Sequence, residues 1–212
     1  MRRDLGHRFP NFRPTLVMNT KYPFQALAGD YLARLEEATK LIPLDAVEFL
    51  ADALMDCWST RKQVFLIGNG GSAGNAVHLA NDFIYGISKR LGSGIRMHAL
   101  PANQAMITCL GNDVSYENIF SHQLAVLADA DDVLVALSGS GNSPNILNAL
   151  TQAKSQGLRS FAILGFDGGK AKALCDQPIH VPVQDMQLAE DSQLIIGHML
   201  MQWLYTQREA MR

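Results

Sequence analysis

Short apolar runs alternate with amphipathic segments along most of this chain. Each run spans four to six residues, too few for a helix and typical of a strand buried on both faces of a parallel sheet. Five such strands are predicted, at residues 64–67, 95–100, 132–137, 161–165 and 179–182. Because the intervening segments repeat apolar residues at helical spacing, the pattern predicts an α/β fold, a doubly wound five-stranded parallel sheet sandwiched by helices.

Helices are predicted wherever apolar residues recur every three or four positions. Leu27, Tyr31 and Leu35 form one such stripe, and Pro43 separates this first helix from a second. The predicted helices cover residues 22–42, 44–58, 102–110, 116–127, 144–153 and 190–205, together with one that starts near Ser72. Residues 111–113 are predicted to form a loop.

The same pattern divides the chain into an N-terminal tail, residues 1–20, and a single domain, residues 21–212. The first two helices, within 22–58, precede every strand and form a helical extension. Together with the apolar closing helix, 190–205, they carry more apolar surface than one small sheet covers, which favours an oligomer interface. Packing of the first two helices on their own sheet is the alternative.

Composition excludes some classes of partner. Apolar residues make up 48% of the chain, charged residues 18%, and the net charge is −2, so no nucleic acid and no anionic membrane is expected as a partner. The three cysteines show no metal-binding spacing and leave an odd count, as expected in a reducing compartment. Since no apolar run has membrane-spanning length and the N-terminus lacks a signal-peptide pattern, we expect a cytoplasmic protein.

The first candidate site follows the strand at 64–67. Glycines at Gly68, Gly70 and Gly71 permit a tight turn, and the helix that starts near Ser72 directs backbone N–H groups at any anion in the loop. Farther along that helix His78 and Asp82 are four residues apart and share a face. Such a pair binds a metal, transfers protons or forms a solvated polar surface.

A second candidate loop follows the strand at 132–137. It contains three serines, Ser138, Ser140 and Ser143, and Pro144 suits the first turn of the next helix. Hydroxyls and free N–H groups at a helix start bind phosphate monoesters well. Serines and glycines also form caps and turns without any ligand, but two such loops at the same edge of one sheet favour a binding site.

A dinucleotide site is the less favoured interpretation of the first loop. Gly68, Gly70 and Ala73 satisfy the G-x-G-x-x-G/A pattern, which requires an acidic residue about twenty positions later. The strand predicted at 95–100 runs into Pro101 and offers no acidic residue there.

The closing helix adds polar residues to an apolar background. Glu190 and His198 are eight residues apart, so their Cα atoms are about 12 Å apart on a helix. Binding one ion therefore requires a long reach or a residue from a neighbouring chain. Asp191 lies on more nearly the same face as His198 and is the rival to Glu190.

Four segments resemble a known family. They are the GNGGS loop with His78 and Asp82, the GND segment at 111–113 followed by Ile119 and Phe120, the S-x-SGNS loop at 138–143, and the FDGGK stretch at 166–170. In this order they resemble the SIS (sugar isomerase) domain, and specifically the bacterial phosphoheptose isomerases. The resemblance extends from about residue 22 to residue 205.

The resemblance implies aldose–ketose isomerisation of a sugar phosphate, sedoheptulose 7-phosphate to a manno-heptose 7-phosphate, by a homotetramer with one Zn²⁺ per chain. It implies that His78, Asp82, Glu190 and His198 hold the metal, with Asp82 and His198 as the acid–base pair. The substrate residues implied by it or by the loop pattern are Asn69, Gly70, Gly71, Ser72, Asn112, Asp113, Ser138, Gly139, Ser140, Ser143 and Glu190.

Two positions depart from the family pattern. Asp82 stands where the family has Glu, and Glu190 stands where it has a metal-binding Gln, which adds a negative charge. The extra carboxylate widens the choice of metal toward Mn²⁺ or Fe²⁺. The alternative function is a non-catalytic SIS protein, a sugar-phosphate-binding regulator or a partner of the replication initiator. Such members lack the metal set, which this chain retains.

Overall fold

The computed structural model describes residues 23–89 and 93–210, and the predicted tail at 1–20 lies outside the described residues. The five strands are β1 (Gln63–Gly68), β2 (Arg96–Ala99), β3 (Val133–Ser138), β4 (Arg159–Leu164) and β5 (Gln177–His180). They form one sheet in the order β2-β1-β3-β4-β5, and every neighbouring pair is parallel. The predicted five-stranded parallel sheet is confirmed.

Both faces of the sheet are covered. Along β1, Val64 and Leu66 pack into one core, while Phe65 and Ile67 pack into the other, and all four are buried. Alternation of side chains across a strand produces this division. The continuous apolar runs in the sequence follow from it, because neither face meets water.

Eight α-helices are described between residues 23 and 210: α1 (Phe24–Lys40), α2 (Leu44–Thr60), α3 (Gly71–Ile84), α4 (Gln104–Asp113), α5 (Ser121–Leu127), α6 (Pro144–Gln156), α7 (Ala171–Leu174) and α8 (Met186–Ala210). The helices α2, α3 and α8 cover one face of the sheet, and α5 and α6 cover the other. No helix among the described residues is long and apolar enough to cross a membrane.

Several predicted boundaries were wrong. The segment 111–113 is not a loop but the last turn of α4, whose start at Gln104 is capped by Asn103. Residues 116–127 form a 3₁₀ turn, Tyr116–Asn118, followed by α5. The closing helix begins at Met186, because the Asp185 carboxylate accepts hydrogen bonds from the N–H groups of Gln187 and Leu188.

Two further corrections concern short elements near the far edge of the sheet. The single-turn helix α7 was not predicted. The strand β5 spans 177–180 rather than 179–182, and it contains Pro178. A proline is tolerated there because β5 is an edge strand, whose outer N–H groups need no partner strand.

The first two helices differ in how much of their apolar surface is buried. α2 packs on the sheet through buried residues such as Leu50 and Leu54, which confirms the simpler alternative for this helix. α1 buries only Ala38 and leaves Phe24 77% and Leu32 64% exposed. The outer side of α1 is therefore an apolar surface that the described chain does not cover.

The helices α3 and α8 run parallel and in close contact. Gly197 of α8 lies directly against the side chain of Leu79, where any larger residue would meet its methyl groups. The buried amide of Gln193 donates to the Ser72 hydroxyl and accepts from the Asn75 amide, each at 3.0 Å. These contacts determine how α8 is aligned along α3.

We expect the substitution Gly197→Ala to destabilise the fold. The added methyl would overlap one methyl carbon of Leu79 and lie 2.8 Å from the other, and overpacking of this kind costs about 1–3 kcal/mol. The free energy of unfolding, measured by urea titration, tests this.

Gly29→Ala is the matched control, because no described atom beyond its two chain neighbours and the backbone of α1 lies within 4 Å of the added carbon. Alanine should leave stability unchanged or raise it by up to about 1 kcal/mol through helix propensity. A Gly197→Ala protein as stable as the parent would contradict the tight contact between α3 and α8.

Candidate active site

The first loop connects β1 to α3. Gly70 has a φ of +55°, a conformation that glycine adopts without strain, and the chain enters α3 at Gly71. Gly71 has no side chain where the carboxylate of Glu190 approaches from α8, and a Cβ there would overlap that carboxylate. The loop therefore meets α8 at the N-terminus of α3.

The second loop connects β3 to α6 and follows the strand next to β1. The Ser138 hydroxyl accepts the Gly141 N–H at 3.0 Å, so its own hydrogen stays available to donate to a ligand. Ser143 occupies the cap position of α6 without a side-chain hydrogen bond to that helix. The two predicted anion loops thus lie at the carboxyl ends of neighbouring parallel strands.

The stretch 166–170 supports the second loop from behind. The Ala171 N–H donates to the Gly141 carbonyl at 2.9 Å, and the Lys170 N–H donates to the Asn142 side chain at 3.1 Å. A side chain at Gly169 would overlap the Ser140 carbonyl oxygen, so the two loops touch backbone to backbone. The FDGGK motif therefore stabilises the serine loop.

Three predicted metal ligands come together between α3 and α8. The Nε2 atoms of His78 and His198 are 3.1 Å apart, and Oδ2 of Asp82 lies 3.4 Å from the first and 3.5 Å from the second. The histidine side chains are 50% and 44% exposed, whereas that of Asp82 is 19% exposed. The cluster therefore opens to the surface of the chain.

The dimensions of this triangle fit a divalent metal. Ligand atoms about 2.1 Å from a tetrahedral ion are about 3.4 Å apart, close to all three separations. Two imidazoles and a carboxylate are also a donor set that transition metals prefer. A metal at this position would have three protein ligands from one chain and at least one open position.

Glu190 and Asp191 are placed elsewhere. Glu190 lies against Gly71, two turns before His198 on α8, and does not belong to the His78–Asp82–His198 cluster within the chain. The rival, Asp191, accepts a 2.5 Å hydrogen bond from the Tyr31 hydroxyl, and this bond raises the pKa of Tyr31 to about 12. Asp191 thus joins α8 to α1.

The predicted pair Asn112 and Asp113 lies at the exposed end of α4. The Asn112 amide donates to the Asp113 carboxylate at 2.8 Å and, with a weaker bond from the Cys109 thiol, lowers the pKa of that carboxyl. The nearby Tyr116 hydroxyl donates to Oδ1 of Asn69 at 3.2 Å. This bond brings the end of α4 to the loop after β1.

Sequence reasoning missed three polar residues that organise the site: Tyr116, Asn145 and Gln193. Asn145 pairs with Asn69, and Gln193 joins Ser72 to Asn75. Asn145 lies two residues after the serine loop, which was a usable signal, and Gln193 is a polar residue beside the apolar run Leu194-Ile195-Ile196. Tyr116 carried no such signal, because an isolated surface tyrosine is common.

Comparison with known proteins assigns the family. Residues 25–165 match the SIS domain family. The chain is 35% identical to the phosphoheptose isomerase of Clostridium acetobutylicum over 159 residues, which are 74% of this chain and 80% of that protein.

Solved structures agree in fold. The phosphoheptose isomerase of Francisella tularensis superposes with a TM-score of 0.82 at 24% identity, covering 87% of this chain and all of that one. That of Neisseria gonorrhoeae superposes with a TM-score of 0.79 at 26% identity, covering 86% and 98%. With the family match over residues 25–165 and 35% identity over most of both chains in agreement, the chain belongs to the phosphoheptose isomerase family of SIS-domain proteins.

Proposed function

We propose that this protein is an aldose–ketose isomerase that converts sedoheptulose 7-phosphate to D-glycero-D-manno-heptose 7-phosphate with a divalent metal, zinc in first place. The observation that carries the proposal is the meeting of His78, Asp82 and His198 at metal-ligand distances. The identity to phosphoheptose isomerases over most of the chain supports the substrate. The alternative, a non-catalytic SIS protein, is disfavoured because the resemblance implies that such members lack the metal set, which this chain retains.

The length of the site suits an open-chain sugar phosphate. Seven residues separate Gly71 from His78, which is about 10 Å along α3. A ligand that contacts both Gly71 in the first loop and the metal cluster would therefore span about 10 Å, which an open-chain seven-carbon sugar phosphate can do. The serine loop would hold the phosphate, so that binding energy at one end orients the reacting carbons at the other.

Charge favours the serine loop for the phosphate. The Glu190 carboxylate lies at the N-terminus of α3, where it interacts well with the helix dipole. A phosphate bound there would face this negative charge. The serine loop at the start of α6 offers hydroxyls and N–H groups, and no carboxylate of the described residues is hydrogen-bonded to it.

Proton transfer between C1 and C2 is assigned to Asp82 and His198. Oδ2 of Asp82 faces both histidines, whereas Oδ1 accepts only a 3.3 Å bond from Asn81 among the described residues. One carboxylate oxygen can thus face a metal while the other accepts a proton. When bound, the metal supplies positive charge that polarises the C1 and C2 oxygens of the substrate.

Assembly and location are further parts of the proposal. The exposed apolar side of α1, with Phe24 and Leu32, supports self-association, for which we propose a homotetramer. In such an assembly Glu190 could also contact the metal or the substrate bound to a neighbouring chain. The cytoplasmic location remains a prediction from the sequence.

Removal of a ligand should remove the metal. His78→Ala or His198→Ala should lower the metal content of the purified protein from about one ion per chain to near zero, as measured by elemental analysis. Turnover of sedoheptulose 7-phosphate should fall by more than roughly 10–100-fold, which is the loss typical when a residue that only hydrogen-bonds to a metal ligand is removed.

Asp191→Asn provides the matched control, because this α8 carboxylate bonds Tyr31 and lies outside the cluster. It should keep the metal. Full occupancy in both histidine variants would disprove the metal site, and loss of metal in Glu190→Ala would add Glu190 to the ligands.

The serine loop should determine phosphate affinity. Ser140→Ala and Ser143→Ala should each weaken binding of sedoheptulose 7-phosphate by about 1–3 kcal/mol, the cost of a lost charge-assisted hydrogen bond. Calorimetric titration measures this, with inorganic phosphate as a competitor. Ser155→Ala, at the exposed far end of α6, should bind as the parent does. Unchanged affinity in both loop variants would place the phosphate at the first loop instead.

Charge on the outer side of α1 should break the assembly. We expect the double substitution of Phe24 and Leu32 by aspartate to shift a tetramer toward smaller species in light scattering, since both side chains are exposed in the chain. Gln25→Ala, an exposed polar position on the same helix, is the control. A fully active monomer of the parent at micromolar concentration would be inconsistent with the proposed tetramer.

A further inference from the structure

Asn69 and Asn145 form a closed pair of amides across the two loops. The Asn69 Nδ2 donates to Oδ1 of Asn145, and the Asn145 Nδ2 donates to Oδ1 of Asn69, both at 2.8 Å. Asn69 directly follows β1, and Asn145 is the second residue of α6, after the serine loop. The pair therefore joins the ends of two neighbouring strands.

Asn145 is 2% exposed, so its amide has no access to water. A buried amide without partners would cost free energy, and the reciprocal pair satisfies one donor and one acceptor of this side chain. Asn69 is only partly buried. The buried Asn145 thus holds the more exposed Asn69, which lies in the loop after β1.

The side-chain amide of Asn69 already makes most of its possible hydrogen bonds. Its oxygen accepts from Asn145 and from the Tyr116 hydroxyl, at 2.8 and 3.2 Å. An amide offers two N–H groups and two acceptor positions, so one N–H of Asn69 has no partner among the described residues. Three segments, the loop after β1, the turn after α4 and the start of α6, all meet at this one side chain.

We propose that Asn145 is a positioning residue, which holds the side-chain amide of Asn69 so that its free N–H donates to an oxygen of the bound sugar phosphate. Tyr116 supports the same orientation from the other side. This inference rests on the proposed function for the identity of the substrate, but the amide pair itself is independent of any reaction. A donor held in advance loses little conformational entropy when the ligand binds.

A double-mutant cycle tests the proposal. Asn145→Ala should lower kcat/KM for sedoheptulose 7-phosphate by about 10- to 100-fold, the range that misplacement of a contacting group produces. In an Asn69→Ala background the same substitution should have almost no further effect, because the amide that Asn145 holds is then absent. Metal content should stay at the parent level in all variants.

Tyr116→Phe gives a second test that does not depend on a buried position. The tyrosine is exposed, so loss of its hydroxyl leaves the core intact. It should cause a smaller decrease in kcat/KM, which should also vanish in the Asn69→Ala background. Asn148→Ala is the matched control, since this asparagine lies one turn later on α6 and donates to the Glu117 carbonyl instead.

The outcomes separate the alternatives. If Asn145→Ala and Tyr116→Phe remain as harmful without Asn69 as with it, the proposal is wrong and Asn145 acts only on the structure of α6. If the parent protein does not turn over sedoheptulose 7-phosphate, the proposed function fails. In that case the affinity for the same compound is measured by calorimetry in all variants of the cycle. An effect of Asn145→Ala that disappears in the Asn69→Ala background supports the proposal, and an effect that persists contradicts it.

Discussion

The parallel contact between α3 and α8 is the constraint on which the candidate site depends. His78 and Asp82 belong to one helix and His198 to the other, so the distances of 3.1 and 3.5 Å from His198 to these two side chains exist only at one alignment of the two helices. Gly197 permits the close approach, and Gln193 determines the alignment through hydrogen bonds to α3. Since helices are stiff, a small shift at this contact would move the His198 ligand atom away from those of His78 and Asp82, which stay together on α3.

Hydrogen bonds between loops fix the relative positions of the two predicted anion-binding loops. The amide pair of Asn69 and Asn145 joins the loop after β1 to α6, while the stretch 166–170 supports the serine loop from behind. Both sets of bonds connect segments distant in sequence. A site whose donors are held before the ligand arrives loses little energy to reorganisation, which benefits both binding and catalysis.

Two loops of similar composition differ in their electrostatics. The loop that leads into α3 faces the Glu190 carboxylate, and the loop that leads into α6 presents serine hydroxyls. The serine loop at the start of α6 therefore suits a phosphate, whereas the metal cluster lies between α3 and α8. This separation of the two roles is consistent with a long, open-chain substrate. It also explains why a carboxylate at position 190 is compatible with an anionic ligand.

The sequence by itself determined the α/β class, the parallel sheet and the positions of the two glycine–serine loops. The family resemblance supplied the three residues of the His78–Asp82–His198 cluster, together with Glu190, which lies against Gly71 instead. Apolar periodicity and glycine-rich turns are local properties, so they are readable along the chain. It could not assign Asn145 to Asn69, 76 residues away, or separate Asp191, which bonds Tyr31, from the metal ligands. It also misplaced the ends of α4 and α8, although the Asn103 and Asp185 caps that start these helices are local features of the sequence. Only the tertiary structure decided the two side-chain pairings and the alignment of α8 on α3, because each results from packing between segments far apart in the sequence.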